Sequence, residues 1–476
     1  MLQSMLFLLR CFNLQRVPHQ SPERVAHLQQ RRLRRLVAHA IAQSPFYRRL
    51  YRHVDLDRLQ LTDLPPTSKS TLMANFEDVI VDSSVQRAAV ERFVQDPANR
   101  GTLFNGKYAV SHTSGSQGQP FLLVHDPFVV DLLFALQVTR GNNTGRITPA
   151  EVARRLLSKK RLATIGMEPG FFPSSAAFAH FPDALKPFVQ LQAFSVNDPQ
   201  YIEKLNAYNP HVLIAYASIL NNLALKGEEL HLPELRQVVN NSETLTEQAR
   251  TRVETAFDAP VLDNYATGEC LFLTNGCPEG PGAHVNADWA ILEVVDEDYR
   301  PVPVGQLGKK VLVTNLANRV QPLIRYEVGD MVAMTDQPCR CGSRLPKVAQ
   351  IKGRTADEFW FEVAGQPKVA GGLLFKNALD PLWEIHEWQA VQDERNHVSL
   401  RLQLLPGARP LRETLDRNIV NRLHANGLPA DVDVDVSYVP VLEPDAKSHK
   451  LQRIVSKVGK LSERLLRQRE TTAGAK

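Results

Sequence analysis

Two groups of residues in this chain have types and spacings suited to chemistry. The first is the run SHTSGSQGQP, Ser111 to Pro120. Glycines at 115 and 118 let the backbone turn tightly, so that successive N–H groups and the hydroxyls of Thr113, Ser114 and Ser116 converge on phosphate oxygens. The Gly-Lys-Ser/Thr ending of a Walker loop is absent. A nucleophile elbow is a poor match, because Ser114 replaces its first glycine and Gln119-Pro120 opposes a helix starting directly after Ser116. A serine hydrolase built on Ser116 is therefore a distant reading, and a plain Ser/Gly linker is the bland one. The second group is Cys277 and His284 with Cys339-x-Cys341. Three thiolates and one imidazole make a tetrahedral structural zinc set, closed to catalysis, with Cys270 as a reserve ligand. The spacing is that of no standard finger, and buried unpaired thiols are the alternative.

Elements must carry these residues to one place. From Ser21-Pro22, apolar residues at Val25, Leu28, Leu33, Leu36, Val37, Ala40 and Ile41 recur at helical spacing, and Arg31, Arg32, Arg34 and Arg35 read as a solvated face. Between about 108 and 320, short β-rich runs such as HVLIAYAS, RQVVN and PVLDNY alternate with helical patterns, the signature of a largely parallel sheet. A helix is expected after Thr244, with Thr244 and Glu247 as a capping box and Leu245, Ala249, Val253, Ala256 and Phe257 as its buried stripe. Two polar segments, Asn240 to Glu243 and Ala266 to Glu269, then fall beyond the carboxyl ends of two strands, the edge where α/β sheets bind ligands. After Gly353-Arg354, Val398 to Leu404 alternates as a strand, Leu411, Leu415, Ile419 and Leu423 mark a helix ending at Gly427, and Val432 to Val436 alternates again. A basic tail, Lys447 to Arg469, reads as helical.

Composition narrows the function classes. At 476 residues with 43% hydrophobic and 22% charged, the chain holds two or three folded units. Its net charge of +5 is too small to mark a nucleic-acid binder. Five cysteines, an odd number, fit a reducing compartment, so the expected location is cytoplasmic. The apolar start MLQSMLFLLRCF is interrupted by Arg10 and reads as an amphipathic helix, and no run reaches the roughly 20 apolar residues of a spanning helix, so integral membrane association is not expected.

Taken in order, SHTSGSQGQP, NNSETL, DNYATGE, IRYEVGD at 324–330, IKGRTADEF at 351–359 and SHKLQRIVSK at 448–457 resemble the adenylate-forming (AMP-binding) superfamily. The chain is most similar to its phenylacetate–CoA ligase and coenzyme F390 synthetase-like branch, from SPFYRRLYR and LPPTSKSTL near the start through to Lys450. The resemblance implies that Thr113, Ser114, Gly115, Ser116, Gln117 and Gly118 hold the ATP phosphates, and that Ser242, Glu243, Asn264 and Tyr265 line the adenine pocket. Glu269 would hold Mg²⁺, and Asp330, helped by Arg354, would bind the ribose hydroxyls. Lys450 would offset charge in the transition state, although it also reads as one lysine of a solvated basic face. Two positions depart from the family pattern. Gly268 stands where a hydroxyl is expected at the α-phosphate, leaving Thr267 as the neighbouring one, and Ala356 replaces the first aspartate of the hinge motif, leaving Asp357. The branch also carries a Cys and His followed by Cys-x-Cys-Gly, matched by Cys339 to Gly342.

These readings converge on an α/β adenylate-forming fold: a large domain with mostly parallel sheets and flanking helices, and a small mobile α+β domain. Residues 1–60 are expected as a helical segment packed on the large domain, 61–352 as the ATP- and substrate-binding domain with a zinc-like insert, and 353–476 as the small domain with its tail. The expected activity is an ATP- and Mg²⁺-dependent ligase that converts a carboxylic acid to an acyl-AMP and passes the acyl group to the thiol of coenzyme A. An amine, a hydroxyl or a carrier protein acting in trans is the alternative acceptor, and a degenerate nucleotide-binding homologue is the alternative class. The acid pocket falls around Phe171-Phe172 and Ala215 to Ser218, unless those aromatics are core.

Overall fold

The computed structural model describes all residues other than 1, 114–120, 142–149, 151–157, 167–170, 197, 225, 227, 228, 242, 244, 246, 355–357, 380, 381, 383, 406, 407, 409, 410, 444–450 and 459–476. The chain divides into two compact units, Met1–Val328 with Val332–Ile351, and Gly329–Met331 with Lys352–Lys476.

The first unit opens with helices α1 (Leu2–Leu14) and α2 (Pro22–Gln43). Ser21 caps α2, its hydroxyl accepting from the Arg24 amide at 3.4 Å, with Pro22 pre-set for the first turn. Val25, Leu33, Leu36, Val37 and Ala40 form its buried face. Arg31, Arg34 and Arg35 are exposed as expected of a solvated face. Arg32 is not: its guanidinium turns inward over the Trp289 ring at 3.5 Å and bonds Asp288, a fully buried carboxylate that also takes Arg140 at 2.8 Å. A desolvated carboxylate needs such partners, and this need overrides the local pattern.

Strands β1 (Ala109–His112) and β2 (Leu122–His125) form an antiparallel hairpin, with Ala109 opposite His125 and His112 opposite Leu122. In sequence the Ser/Gly run falls between these two strands. Helix α3 (Pro127–Arg140) follows, capped by Asp126, buried on most of its surface and packed against α1.

A five-stranded sheet, all parallel, comprises β3 (Lys160–Gly166), β4 (Val189–Ser195), β5 (Val212–Ala215), β6 (Gln237–Asn240) and β7 (Val261–Asp263) in the order β4-β3-β5-β6-β7. Helices α4 (Pro173–Ala179), α5 (Tyr201–Tyr208), α6 (Ala217–Ala224) and α7 (Glu247–Phe257) lie in the successive crossovers. The central strands read VLIA and QVVN because both faces are covered, which favours unbroken apolar runs over alternation. In α7, Val253 is buried with Leu245, Ala249 and Phe257 half-buried beside it, but Ala256 is exposed. Ala256 faces solvent, and Arg250 turns inward, donating to the Val261 carbonyl at 2.6 Å.

The parallel region ends at β7. Strands β8 (Thr274–Gly276) and β9 (Ala283–Val285) form a hairpin, and β10 (Ala290–Val295), β11 (Lys310–Asn315) and β12 (Leu323–Val328) form an antiparallel meander. The β8-β9, β9-β10 and β11-β12 connections are too short for the crossover that parallel pairing requires, and β10 and β11, joined by residues 296–309, also pair antiparallel. Strands β13 (Asp330–Thr335) and β14 (Lys347–Arg354) extend the β8-β9 hairpin into a sheet of order β13-β14-β9-β8.

The second unit contains the hairpin of β15 (Glu358–Val363) and β16 (Gln366–Gly371), helix α8 (Gly372–Leu379), and a sheet of β17 (Ile385–Glu394), β18 (His397–Leu404), β19 (Asp433–Tyr438) and β20 (Ile454–Ser456) in the order β19-β18-β17-β20. Helix α9 (Arg412–Ala425) buries Leu415, Ile419 and Leu423 and ends before Gly427 at φ +104°, the left-handed position that closes such helices. Leu411 is its N-cap and is 72% exposed, so it marks the helix start without joining its buried face. The basic tail is not helical over 454–456: β20 pairs parallel with β17, Ala390 opposite Ile454, and Arg453 anchors it by a bidentate pair with Glu387. Residues 451–453, 457 and 458 of the tail are not helical either, and 447–450 and 459–469 lie outside the described residues.

Candidate functional site

Thr113 closes the β1-β2 hairpin. Its amide donates to the Phe121 carbonyl at 3.0 Å and its hydroxyl accepts from the Phe121 amide at 3.1 Å, so both ends of the Ser/Gly loop are pinned. Ser114, Gly115, Ser116, Gln117 and Gly118 lie outside the described residues, as do Ser242, Thr244, Ala356, Asp357 and Lys450.

The two polar segments after β6 and β7 meet. The Asn264 amide donates to the Asn240 carbonyl at 3.0 Å, and the Asn240 carboxamide donates to the Glu243 carbonyl at 2.8 Å and to Asp263 Oδ1 at 2.6 Å. Glu243 and Asn264 are thereby held by one residue, Asn240, the first by its side chain and the second by its main-chain carbonyl, at the carboxyl edge of the parallel sheet. Asn264 Oδ1 accepts from the Gly276 amide at 2.7 Å, and the Thr274 hydroxyl bridges the amide and carbonyl of Tyr265 at 2.8 Å each. The Tyr265 ring is 5% exposed and packs into the core of the unit, so the face it offers to a ligand is small.

Thr267 and Cys270 exchange backbone bonds across a tight turn, with the Thr267 hydroxyl accepting from the Cys270 amide at 3.2 Å. Gly268 sits inside that turn against the loop stem. A β-carbon there would meet Leu123 Cδ1 at 3.0 Å, Pro173 Cγ at 3.0 Å and Thr113 Cγ2 at 3.3 Å. The hairpin bearing the Ser/Gly loop and the turn bearing Glu269 are therefore in contact through Thr113 and Gly268. Glu269 is 8% exposed, and its carbonyl accepts from the Asn315 carboxamide at 2.9 Å. Asp330 opens β13 and is 8% exposed, and Arg354 ends β14; both belong to the second unit. Phe171 is core, and Phe172 is half-buried against the His112 ring, centroids 5.4 Å apart.

Positioning residues that motif reading missed lie in one segment, 315–321. Asn315 holds the Glu269 carbonyl. Asn318 donates to the Val124 carbonyl at 2.9 Å, and Gln321 accepts from the Val124 amide at 2.8 Å and donates to the Leu122 carbonyl at 3.0 Å. All three are buried. Three carboxamides in the mostly apolar stretch VLVTNLANRVQPLI are the available signal, since buried amides must find partners. His125, at the end of β2, is also buried, and desolvation pulls its imidazole down to about 4, so it stays neutral beside the Gly268 backbone.

The Cys/His set converges. One ligand atom from each of Cys277, His284, Cys339 and Cys341 lies within 4.8 Å of the others, with Cys277 Sγ 3.3 Å from Cys339 Sγ and Cys341 Sγ 3.3 Å from His284 Nε2. Cys277 follows β8, His284 lies in β9, and Cys339-Arg340-Cys341 sits in the β13-β14 connection, turned by Gly342 at φ +76°. His284 Nδ1 donates to the Leu345 carbonyl at 3.2 Å, which directs the Nε2 lone pair into the cluster, and burial holds the ring neutral. Lys347 Nζ stands 3.7 Å from Cys339 Sγ. The donor chemistry and this outer hydrogen bond fit a tetrahedral zinc, for which these four residues would be the whole shell. Cys270 is apart from it, sealed in the core, where burial raises its thiol well above the usual range.

No family model matches the chain. A phenylacetate-coenzyme A ligase of Thermus thermophilus is 26% identical over 361 residues, 70% of this chain and 71% of the relative. A 2-hydroxyisobutyryl-CoA ligase, solved in its postadenylation state with an acyl-AMP, superposes with a TM-score of 0.69 at 19% identity over 96% of this chain and 94% of that one. An anthranilate CoA ligase in complex with anthranoyl-AMP gives a TM-score of 0.52 at 16% identity over 77% and 67%. The chain is thus similar in sequence to a phenylacetate-coenzyme A ligase and shares the α/β fold of the solved CoA ligases.

Proposed function

We propose that this protein is an ATP-dependent acid–thiol ligase with coenzyme A as its acyl acceptor. The observation that carries the reading is the meeting of the Thr113 hairpin stem with the Gly268 turn, beside the Asn240–Asn264 junction at the carboxyl edge of the parallel sheet. In the first half-reaction a carboxylate oxygen attacks the α-phosphorus of ATP, the bond to the bridging oxygen breaks, and pyrophosphate leaves. In the second, the thiol sulfur attacks the acyl carbon and AMP leaves as the thiol loses its proton. Activation is needed because a carboxylate is a poor electrophile and an acyl phosphate a good one.

The loop amides and hydroxyls from Thr113 to Gly118 would bind the triphosphate, Ser242, Glu243, Asn264 and Tyr265 the base, and Asp330 with Arg354 the ribose diol. Thr267 is the neighbouring hydroxyl in sequence to the glycine-substituted position. Lys450 would act late, offsetting charge on the phosphorus centre as the carboxylate attacks. Glu269, a carboxylate held by a pinned turn, is the hard oxygen donor that Mg²⁺ accepts beside phosphate oxygens, and the bound ion would supply charge compensation there. The Cys/His cluster would hold a structural zinc that clips the β8-β9 hairpin to the β13-β14 connection.

Pyrophosphate exchange across aromatic, fatty and amino acids tests the reading. Exchange with at least one acid is expected, and Glu269→Gln should reduce it by about 100-fold or more. Folded protein that exchanges with no acid in the panel would sink the proposal. Mass spectrometry of the products with and without coenzyme A identifies the acceptor, and a product formed equally without it would assign the acyl group to an amine, a hydroxyl or a carrier protein.

A further inference from the structure

Helix α1 carries two apolar faces, and only one is used. Phe7, Cys11 and Leu14, at i, i+4 and i+7, are buried in the core against α3. On the opposite side Met5, Leu8, Leu9 and Phe12, at i, i+3, i+4 and i+7, with Leu6 beside them, are 44 to 54% exposed. They make up five of the eight exposed large hydrophobic residues among the described residues. Because the buried face already fixes the helix, rotation cannot hide the outer one. A patch of this kind on a helix marks an interaction site.

Charge and area choose its occupant. Residues 1–22 contain Arg10, Arg16 and His19 and no aspartate or glutamate. Arg16 lies at the edge of the patch, its guanidinium 4.0 Å from the Phe12 ring centroid, and is exposed. Asp131, an acid beside the helix, is paired with Arg10 at 3.7 Å. An apolar stripe bordered by unopposed cation suits a surface that is apolar inside and anionic outside. Five half-exposed side chains offer on the order of 500 Å², short of the roughly 800 Å² per partner that a stable protein interface needs, which disfavours a second copy of this chain. No helix among the described residues is long and apolar enough to cross a membrane, so contact through α1 would be with the surface layer.

We propose that α1 docks the protein on membranes rich in anionic lipid, with Met5, Leu6, Leu8, Leu9 and Phe12 entering the acyl boundary and Arg16 meeting headgroup phosphates. The proposal does not depend on the ligase reading, and its test needs no catalytic assay. The full chain is floated with vesicles of phosphatidylcholine alone or with about one third phosphatidylglycerol. Preferential flotation with the anionic vesicles is expected, with a loss of about tenfold in the double variant Leu9→Glu/Phe12→Glu and a reduced anionic preference in Arg16→Glu. Both substitutions are at exposed positions, and circular dichroism checks that the variants fold. Separately, Phe12→Trp should give a blue-shifted emission component on adding anionic vesicles. Three results would overturn the idea: no flotation of the folded parent, flotation unaffected by the double variant, or a dimer in light scattering that the double variant abolishes.

Discussion

Gly268 occupies the position where the resemblance places a threonine, and its surroundings give the consequence of restoring that side chain. A β-carbon would come within 3.0 Å of Leu123 Cδ1 and Pro173 Cγ and 3.3 Å of Thr113 Cγ2. Leu123 is fully buried in β2 and cannot swing into solvent. Gly268→Ala should therefore cost about 1–2 kcal/mol, within the usual range for overpacking, and Gly268→Thr, with two further heavy atoms in the same gap, about 3 kcal/mol or more. The first unit's thermal transition should fall by a few degrees for alanine and further for threonine. Because Thr113 is one of the crowded groups, the stem of the Ser/Gly run must yield, and under the proposed function the KM for ATP in pyrophosphate exchange should rise. Leu123→Val removes the nearest methyl, so the double variant with Gly268→Ala should recover about 0.5 kcal/mol or more in a mutant cycle. A Gly268→Thr protein as stable as the parent and faster in exchange would refute the packing argument and make the glycine a simple loss of a hydroxyl.

Metal analysis of the purified chain should find about one zinc per chain, lost in Cys277→Ser and Cys341→Ser, and chelation should lower the first unit's unfolding midpoint. Metal-free protein with an unchanged midpoint would assign the four residues as buried thiols and a core histidine. Asn315→Ala strips the Glu269 carbonyl of its donor and should cost about 1–3 kcal/mol, with a rise in the KM for ATP that a remote core truncation of equal cost does not produce. In the second unit, His397 bridges Asp393 at 2.6 Å and Asp435 at 3.1 Å. The hydrogen bond to Asp393 raises the imidazole above its ordinary value, and the reciprocal bond lowers Asp393 to about 2. The histidine's contribution is thus complete below its unfolded pKa near 6.5 and lost as pH rises through the raised folded value; the aspartate's is present above about 4 and lost as pH falls through about 2. Denaturant midpoints of the second unit should accordingly fall on the alkaline side of that window in the parent and stay flat there in His397→Gln.

What the sequence made legible and what it hid separate along a physical line. VLIA, QVVN and VLD read as parallel strands because a strand covered on both faces is a run of apolar residues, and the polar segments after them followed from the sheet's own geometry. Ser21-Pro22 and Gly427 marked helix ends because capping is local chemistry. Several of the failures involve partners outside the element itself. Arg32 and Arg250 sit in helices whose patterns place arginine outside, yet each turns inward to a group, Asp288 or the Val261 carbonyl, that no helical window contains. Ile454 to Ser456 lies in a lysine- and arginine-rich stretch that reads as a helix, and becomes a strand because β17 has an open edge. The same distinction governs the site. Motif residues such as Thr113 and Glu269 are recognisable one by one, whereas the residues that fix their backbone, Asn315, Asn318 and Gln321, act across 46 to 199 positions of chain and leave only the trace of amides in an apolar segment. The Cys/His cluster combines both cases: Cys339 and Cys341 are a local signal, but their meeting with Cys277 depends on β14 pairing with β9, Lys347 opposite His284. Candidate site residues are therefore recognisable by type, and the residues that fix their backbone are found only once the strands are paired.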